Sequence, residues 1–214
     1  MKPKTQMQPS TYTPSSHDEL IGPAGPHLGL VQEQAVQLNE SGGPSRIILH
    51  GLPGVGKSRC ADILAKALCN HPVYLESING RNVTSDIIRE WMRAVMFRPI
   101  GGHFSVKLIN EIDTMTPSAK DIMNDYLDNL PKWTAIIGTT NHNLSDIKER
   151  FETRFQQFAV DAPTTEELSQ WLRKKWKLHS NVANAIAVGS GGNIRAALLD
   201  TQSYLDVNTI PEAK

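Results

Sequence analysis

The sequence predicts an α/β chain: a five-stranded parallel sheet flanked by helices, followed by a small all-helical subdomain. From Arg46 onward, short apolar runs alternate with segments of helical period, the pattern of strands joined by crossover helices. The first run leads directly into a glycine-rich turn that opens a helix, Gly51-Leu52-Pro53-Gly54-Val55-Gly56-Lys57-Ser58. Beyond Pro163 the strand pattern stops and only helical spacing continues.

Residues 1–16 are rich in Pro, Ser, Thr and Gln, too apolar-poor to offset the entropy of ordering, and read as a flexible arm. Residues 17–162 form the α/β domain, with strands expected at Ile47–His50, Val73–Glu76, Val106–Asn110, Thr134–Gly138 and Gln157–Val160. Cys60, Leu64 and Leu68 give the helix after the glycine-rich turn its apolar face. Thr84 can cap a helix carrying Ile87, Ile88, Trp91, Met92 and Val95 on one stripe. Thr116 and Pro117 open another, with Ala119, Ile122, Met123, Tyr126, Leu127 and Leu130 at helical spacing. Thr164 and Glu167 form a capping box for the first helix of the subdomain, residues 163–206. Residues 207–214 read as a frayed tail.

Among the 214 residues, 22 Lys and Arg balance 22 Asp and Glu, so the chain is no bulk polycation and any nucleic-acid contact is local. Two cysteines and seven scattered histidines fit neither a disulfide framework nor a metal cluster. No signal peptide or membrane span is readable, and the expected location is the cytoplasm, with nucleoid association, or the nucleus in a eukaryote.

The turn at 51–58 fits G-x-x-x-x-G-K-[ST] at each fixed position and follows a strand, which predicts a P-loop nucleotide hydrolase binding ATP with Mg²⁺. Gly51, Pro53, Gly54, Val55 and Gly56 shape a loop whose N–H groups converge on phosphate oxygens, with the helix dipole aimed at the same anion. Lys57 reaches the β- and γ-phosphates and Ser58 offers its hydroxyl to Mg²⁺. Hydrolysis also needs an acid at the end of another central strand. Glu111 fills that place and orients or deprotonates water. Asn110 stands where an Asp would hold a metal-bound water; its neutral amide brings no charge toward Mg²⁺, which predicts weaker metal affinity or slower turnover.

These motifs resemble the AAA+ ATPases, and within them the clamp-loader branch typified by replication factor C small subunits. Tyr12-Thr13-Pro14 with Asp18-Glu19-Leu20-Ile21-Gly22 is similar to the segment that lies over adenine in that family, which implies adenine contacts for Ile21 and Gly22. Leu75-Glu76-Ser77-Ile78-Asn79 resembles the segment at the second strand, and Asn110-Glu111-Ile112-Asp113 stands where the family has Asp-Glu-Ala-Asp. The resemblance implies that Asn141, in Gly138-Thr139-Thr140-Asn141, positions the water near the γ-phosphate. It makes Arg154, in Thr153-Arg154-Phe155, a finger reaching the neighbouring subunit's nucleotide, with Arg150 as competitor. Arg195, in Gly192-Asn193-Ile194-Arg195, becomes the lid residue that reads nucleotide state. Partners implied are further AAA+ subunits in a homo- or hetero-oligomer, DNA, and a sliding clamp or other replication or repair protein.

Two segments could meet DNA. Thr84 and Ser85 at a helix start, flanked by Arg81 and Arg89, suit backbone phosphate. Trp171–Lys177 mixes bases with tryptophans, though Trp171, Leu172 and Trp176 are read as lid core with solvated lysines. The leading expectation is an ATP-driven DNA-remodelling subunit, most simply clamp-loader-like. The alternatives are a helicase-loader or branch-migration ATPase, a non-hydrolysing ATP-dependent scaffold, and a protein remodeller whose nearest pore-loop candidate is Ile100-Gly101-Gly102-His103-Phe104.

Overall fold

Strands β1 (Ser45–His50), β2 (Leu75–Asn79), β3 (Ser105–Asn110), β4 (Thr134–Thr140) and β5 (Gln156–Ala159) make one sheet in the order β2-β3-β4-β1-β5, each adjacent pair parallel. The structure is a computed structural model describing residues 8–41, 43–69, 71–100, 104–142 and 151–208. The central strands are covered on both faces, which is why they read as unbroken apolar runs. Helices α1 (Ala24–Glu40) and α2 (Lys57–Cys69) pack on one face over Ile47, Leu49, Val106, Leu108, Ala135 and Ile137. Helices α3 (Ser85–Ala94) and α4 (Pro117–Asp128) pack on the other over Ile48, Ile109 and Ile136. The two sets alternate along the strands, as the two-residue period requires.

Lys107 interrupts this pattern. It is buried in β3 on the α3 and α4 face, pairs with Glu76 of β2 and lies 5.7 Å from the Trp91 ring centre. Trp91 Nε1 donates to Glu76 Oε2 at 2.7 Å. A buried ammonium is tolerated only with such partners, and this one holds edge strand β2 with Glu76 opposite Lys107 and Asn79 opposite Asn110.

Local signals set most helix ends. Thr116 Oγ1 accepts from Ala119 N at 3.3 Å with Pro117 opening α4, and Thr84 Oγ1 accepts from Ile87 N at 3.3 Å. The lid contains α5 (Thr165–Trp176), α6 (Ser180–Ser190) and α7 (Ile194–Asn208), and the capping box at Thr164 and Glu167 is formed. Leu168, Leu172, Trp176, Ala183, Ala187 and Ala197 make its core.

Three expectations are corrected. Strand β2 begins at Leu75 instead of Val73, because Pro72–Tyr74 form a 3-10 turn in which His71 Nδ1 accepts from Val73 N at 3.2 Å. Helix α1 is absent from the sequence reading because Gly25, Pro26 and Gly29 obscure it; its buried residues Ala24, Leu28, Val31 and Ala35 nevertheless keep helical spacing, and a proline in the first turn removes no helical bond. Residues 8–16, expected as part of a flexible arm, pack on the lid. Tyr12 lies edge-on to Trp171 and Trp176 at 5.3 and 5.7 Å, with Lys175 Nζ 4.6 Å from its ring centre. Three aromatic rings offset the ordering cost that the composition of the arm suggests. Residues 1–7 of the arm and 209–214 of the tail lie outside the described residues, and α7 runs through 207 and 208.

Both cysteines are buried and unpaired as thiols. No described helix is long and apolar enough to cross a membrane. Replacing Thr116 with Ala removes the α4 cap and is expected to lower stability by about 1 kcal/mol. The check is a fall in the urea midpoint at constant slope; an unchanged midpoint contradicts the cap's role.

Candidate functional site

Because the strands are parallel, the loops after β1, β3 and β4 leave from the same edge, where open α/β sheets bind ligands. There they meet the start of α7 and residues 10–14 around a cleft of about 380 Å³. Its wall brings together Ile21, Pro53, Gly54, Val55, Gly56, Lys57, Ser58, Glu111, Asn141 and Arg195, all singled out by the sequence. Gly22 and Gly51 sit next to this wall and support it. Gly22, at φ +66°, packs against Pro163.

The loop conformation depends on missing side chains. Gly54 has φ +82°, and a Cβ there would run into the amide of Asn193. The lid is therefore seated directly on the loop, with Arg195 N also facing Gly54 O at 3.4 Å. Gly56 has φ +99° and open space where its Cβ would stand, leaving its backbone accessible from the cleft.

Lys57 Nζ donates to Gly51 O at 2.9 Å and Leu52 O at 2.7 Å. Burial pushes its pKa down, the Arg195 guanidinium pushes the same way, and the Asp113 carboxylate opposes them. Two cations thus face one half-open cleft, a charge arrangement that a polyphosphate relieves. The exposed Ser58 hydroxyl on the same wall suits a hard cation carried with such a ligand.

Glu111 has left-handed backbone, φ 54°, a strain that non-glycine residues keep mainly at functional sites. Its carboxylate Oε2 accepts from Asn79 Nδ2 at 3.2 Å and lies 3.9 Å from Arg81 Nη2. Its N–H donates to Thr139 Oγ1 at 3.1 Å, and Thr114 Oγ1 donates to its carbonyl at 2.7 Å. The backbone is pinned while the acid stays nearly half exposed to the cleft.

Other expected residues lie elsewhere. Asn110 is off the cleft wall, with Oδ1 accepting from Thr139 Oγ1 at 3.5 Å. Arg154 is also off the wall: its Nε and Nη2 donate to the two carboxylate oxygens of Asp128 at 2.9 and 2.7 Å. Arg150 and residues 101–103 of the pore-loop candidate lie outside the described residues. In the DNA set, Thr84 is used as a cap, and Arg89 Nη1 pairs with Asp86 at 2.9 Å in the same turn as Ser85. Arg81 points toward Glu111. Leu172 and Trp176 are lid core.

Sequence reasoning missed Asn79 and Thr139 as partners of Glu111, since a polar residue at a strand end carries no mark of what it will face. It also missed Ser10 as cleft wall, whereas Tyr12 and Pro14, in the segment that the resemblance set over the adenine, do line the cleft.

The profile of the ATPase family associated with various cellular activities (AAA) matches residues 47–160, from within β1 to just past the end of β5. The chain belongs to the AAA family. Two curated relatives, the replication factor C small subunits 2 of Pyrobaculum islandicum and Pyrobaculum aerophilum, are each 25% identical over 151 residues, covering 67% of this chain and 44% of theirs. This chain therefore spans less than half their length. Among solved structures, a point mutant of Thermotoga maritima RuvB aligns at TM-score 0.75 and 22% identity, over 94% of this chain and 68% of that one. The Thermotoga maritima RuvB Holliday junction branch migration motor aligns at 0.71 and 20%, over 92% and 66%. They share the AAA+ fold of sheet and helical lid.

Replacing Gly54 with Ala is expected to drive a Cβ into Asn193 at an unfavourable φ. ATP affinity should fall about tenfold or more with the chain still folded, a loss of roughly 1.4 kcal/mol. Calorimetric titration checks this; wild-type affinity contradicts the contact.

Proposed function

We propose that this AAA protein binds and hydrolyses Mg·ATP to drive a DNA-remodelling step of the clamp-loading kind. The observation that carries the nucleotide reading is the convergence of Lys57, Ser58, Glu111, Asn141 and Arg195 on one cleft from separate segments of the fold. Lys57 and the loop amides hold the phosphates, and Ile21 with Gly22 flanks the base. Glu111 takes the proton of the attacking water, which Asn141 helps to orient, and Arg195 couples the occupied cleft to the lid. Ser58 would hold magnesium, with the Asn110 amide the proposed partner through water, and the ion would neutralise phosphate charge when bound. Products are ADP and phosphate. Arg154, whose side chain is largely covered and paired with Asp128, is the residue proposed to act on a neighbouring subunit's nucleotide in an oligomer.

The clamp-loading task is supported by the replication factor C relatives and by a surface at the far end of the sheet. The end of α3 and the turn after it expose Met92, Met96, Phe97 and Ile100, the last two at 83% and 88%, with Arg93 and Arg98 interleaved. Ile100 N donates to Tyr74 Oη at 3.2 Å, which fixes this apolar projection at the amino ends of β2 and β3. Exposed apolar clusters of this sort meet protein partners, and a clamp or another replication protein fits the reading. Arg81, Thr84, Ser85 and Arg89 remain the proposed DNA contacts, Arg81 linking that surface to Glu111.

A second reading, an ATP-binding scaffold with negligible turnover, is favoured by the uncharged Asn110 and by Asn79 holding the Glu111 carboxylate. Steady-state Mg·ATP hydrolysis, alone and with primed-template DNA, separates the two. Clamp loading predicts turnover that rises with primed template and is lost in Lys57→Ala and Glu111→Gln. Binding without turnover supports the scaffold, and stimulation by junction DNA instead of primed template supports a branch-migration or helicase-loading motor. Replacing Phe97 with Asp should leave ATP affinity unchanged and weaken sliding-clamp binding about tenfold or more, measured by surface plasmon resonance; unaltered binding removes the patch from the interface.

A further inference from the structure

Asn110 is uncharged where the resemblance to the AAA+ ATPases would put an Asp, and the turn just beyond Glu111 carries a carboxylate, Asp113. Asp113 follows Glu111 by two residues, in the 3-10 turn Ile112–Thr114. Its Oδ1 is fully buried and has no hydrogen-bond partner among the described residues. The other buried oxygens in that condition belong to the neutral side chains of Ser45, Asn124, Tyr126 and Thr134. An orphaned carboxylate oxygen is costlier than any of these and calls for an explanation in a ligand or ion. Its second oxygen, Oδ2, lies 3.4 Å from Nε2 of His142, the residue immediately after Asn141 of the cleft wall. The field of Asp113 reaches Lys57, where it offsets the burial of the ammonium. Asn110 brings no charge and has its amide oxygen turned to Thr139.

We propose that Asp113 supplies the negative charge that Asn110 lacks, acting from just outside the cleft wall to stabilise the cation that accompanies the nucleotide. It is a positioning residue, not a direct ligand: its charge acts through the low-dielectric interior. The inference rests on the nucleotide reading of the cleft. It implies that Mg²⁺ dependence in this protein follows position 113, and that position 110 can take over the role when given a carboxylate.

The test uses the full chain as wild type, Asp113→Asn, Asp113→Glu, Asn110→Asp and the double variant Asp113→Asn with Asn110→Asp. A fluorescent ATP analogue is titrated over a series of Mg²⁺ concentrations and in EDTA. Asp113→Asn is expected to raise the half-saturating Mg²⁺ concentration about tenfold, while affinity in EDTA is unchanged or tighter because a negative charge near the phosphates is gone. Asp113→Glu keeps the wild-type dependence, and Asn110→Asp restores it to the Asp113→Asn protein. Mg²⁺ dependence of Asp113→Asn within about twofold of wild type overturns the proposal. So does an equal loss of affinity in EDTA, which marks the Asp113–His142 contact as only structural. A wild-type chain that binds no nucleotide in either condition overturns the nucleotide reading, and this role with it.

Discussion

Lys57 and Arg195 line one cleft, and two like charges in a partly buried space are the constraint on which the site depends. Burial already disfavours the Lys57 ammonium, and the guanidinium across the cleft adds to that cost. The chain meets the cost in part with the carbonyls of Gly51 and Leu52 and with the more distant Asp113. A bound polyphosphate would supply what remains. The two cations come from different layers, Lys57 from the sheet domain and Arg195 from the lid, so an anion between them draws the layers together.

That coupling needs the two layers to be in register before any ligand arrives. The contact of Gly54 with Asn193 seats the lid on the loop, and the packing of Tyr12 against Trp171 and Trp176 ties its segment to the same lid. On the opposite side of the cleft, Glu111 is held by the neighbouring edge strand through Asn79. The position of that strand is in turn fixed by the pairing of buried Lys107 with the half-exposed Glu76. The acid, the glycine-rich loop and the lid thus come from different parts of the fold and meet at the cleft.

Much of this was legible in the sequence where local chemistry decides the outcome. The glycine spacing of 51–58, the caps at Thr84, Thr116 and Thr164, and the apolar runs of β1, β3 and β4 each act within a few residues, and each structure follows its signal. What depends on distant partners was not legible. The ordering of residues 8–16 comes from aromatic rings more than 150 residues away along the chain, and helix α1 is stabilised by a sheet face that its own glycines give no hint of. For the site, the loop and Glu111 were marked by spacing, whereas Asn79 and Thr139 acquire their roles only from strand register. Position 110 was read as a deficit, and the carboxylate of Asp113 in the turn beyond Glu111 could be weighed only once its buried oxygen was placed.

The most direct test of the account is calorimetric titration of ATP into wild type, Lys57→Ala, Arg195→Ala and the double variant in Mg²⁺ buffer. If the two cations hold one ligand between sheet and lid, wild type binds one ATP per chain, each single variant weakens binding, and the double-variant cycle shows coupling between the two losses. Losses that simply add, or binding untouched by either substitution, would contradict it.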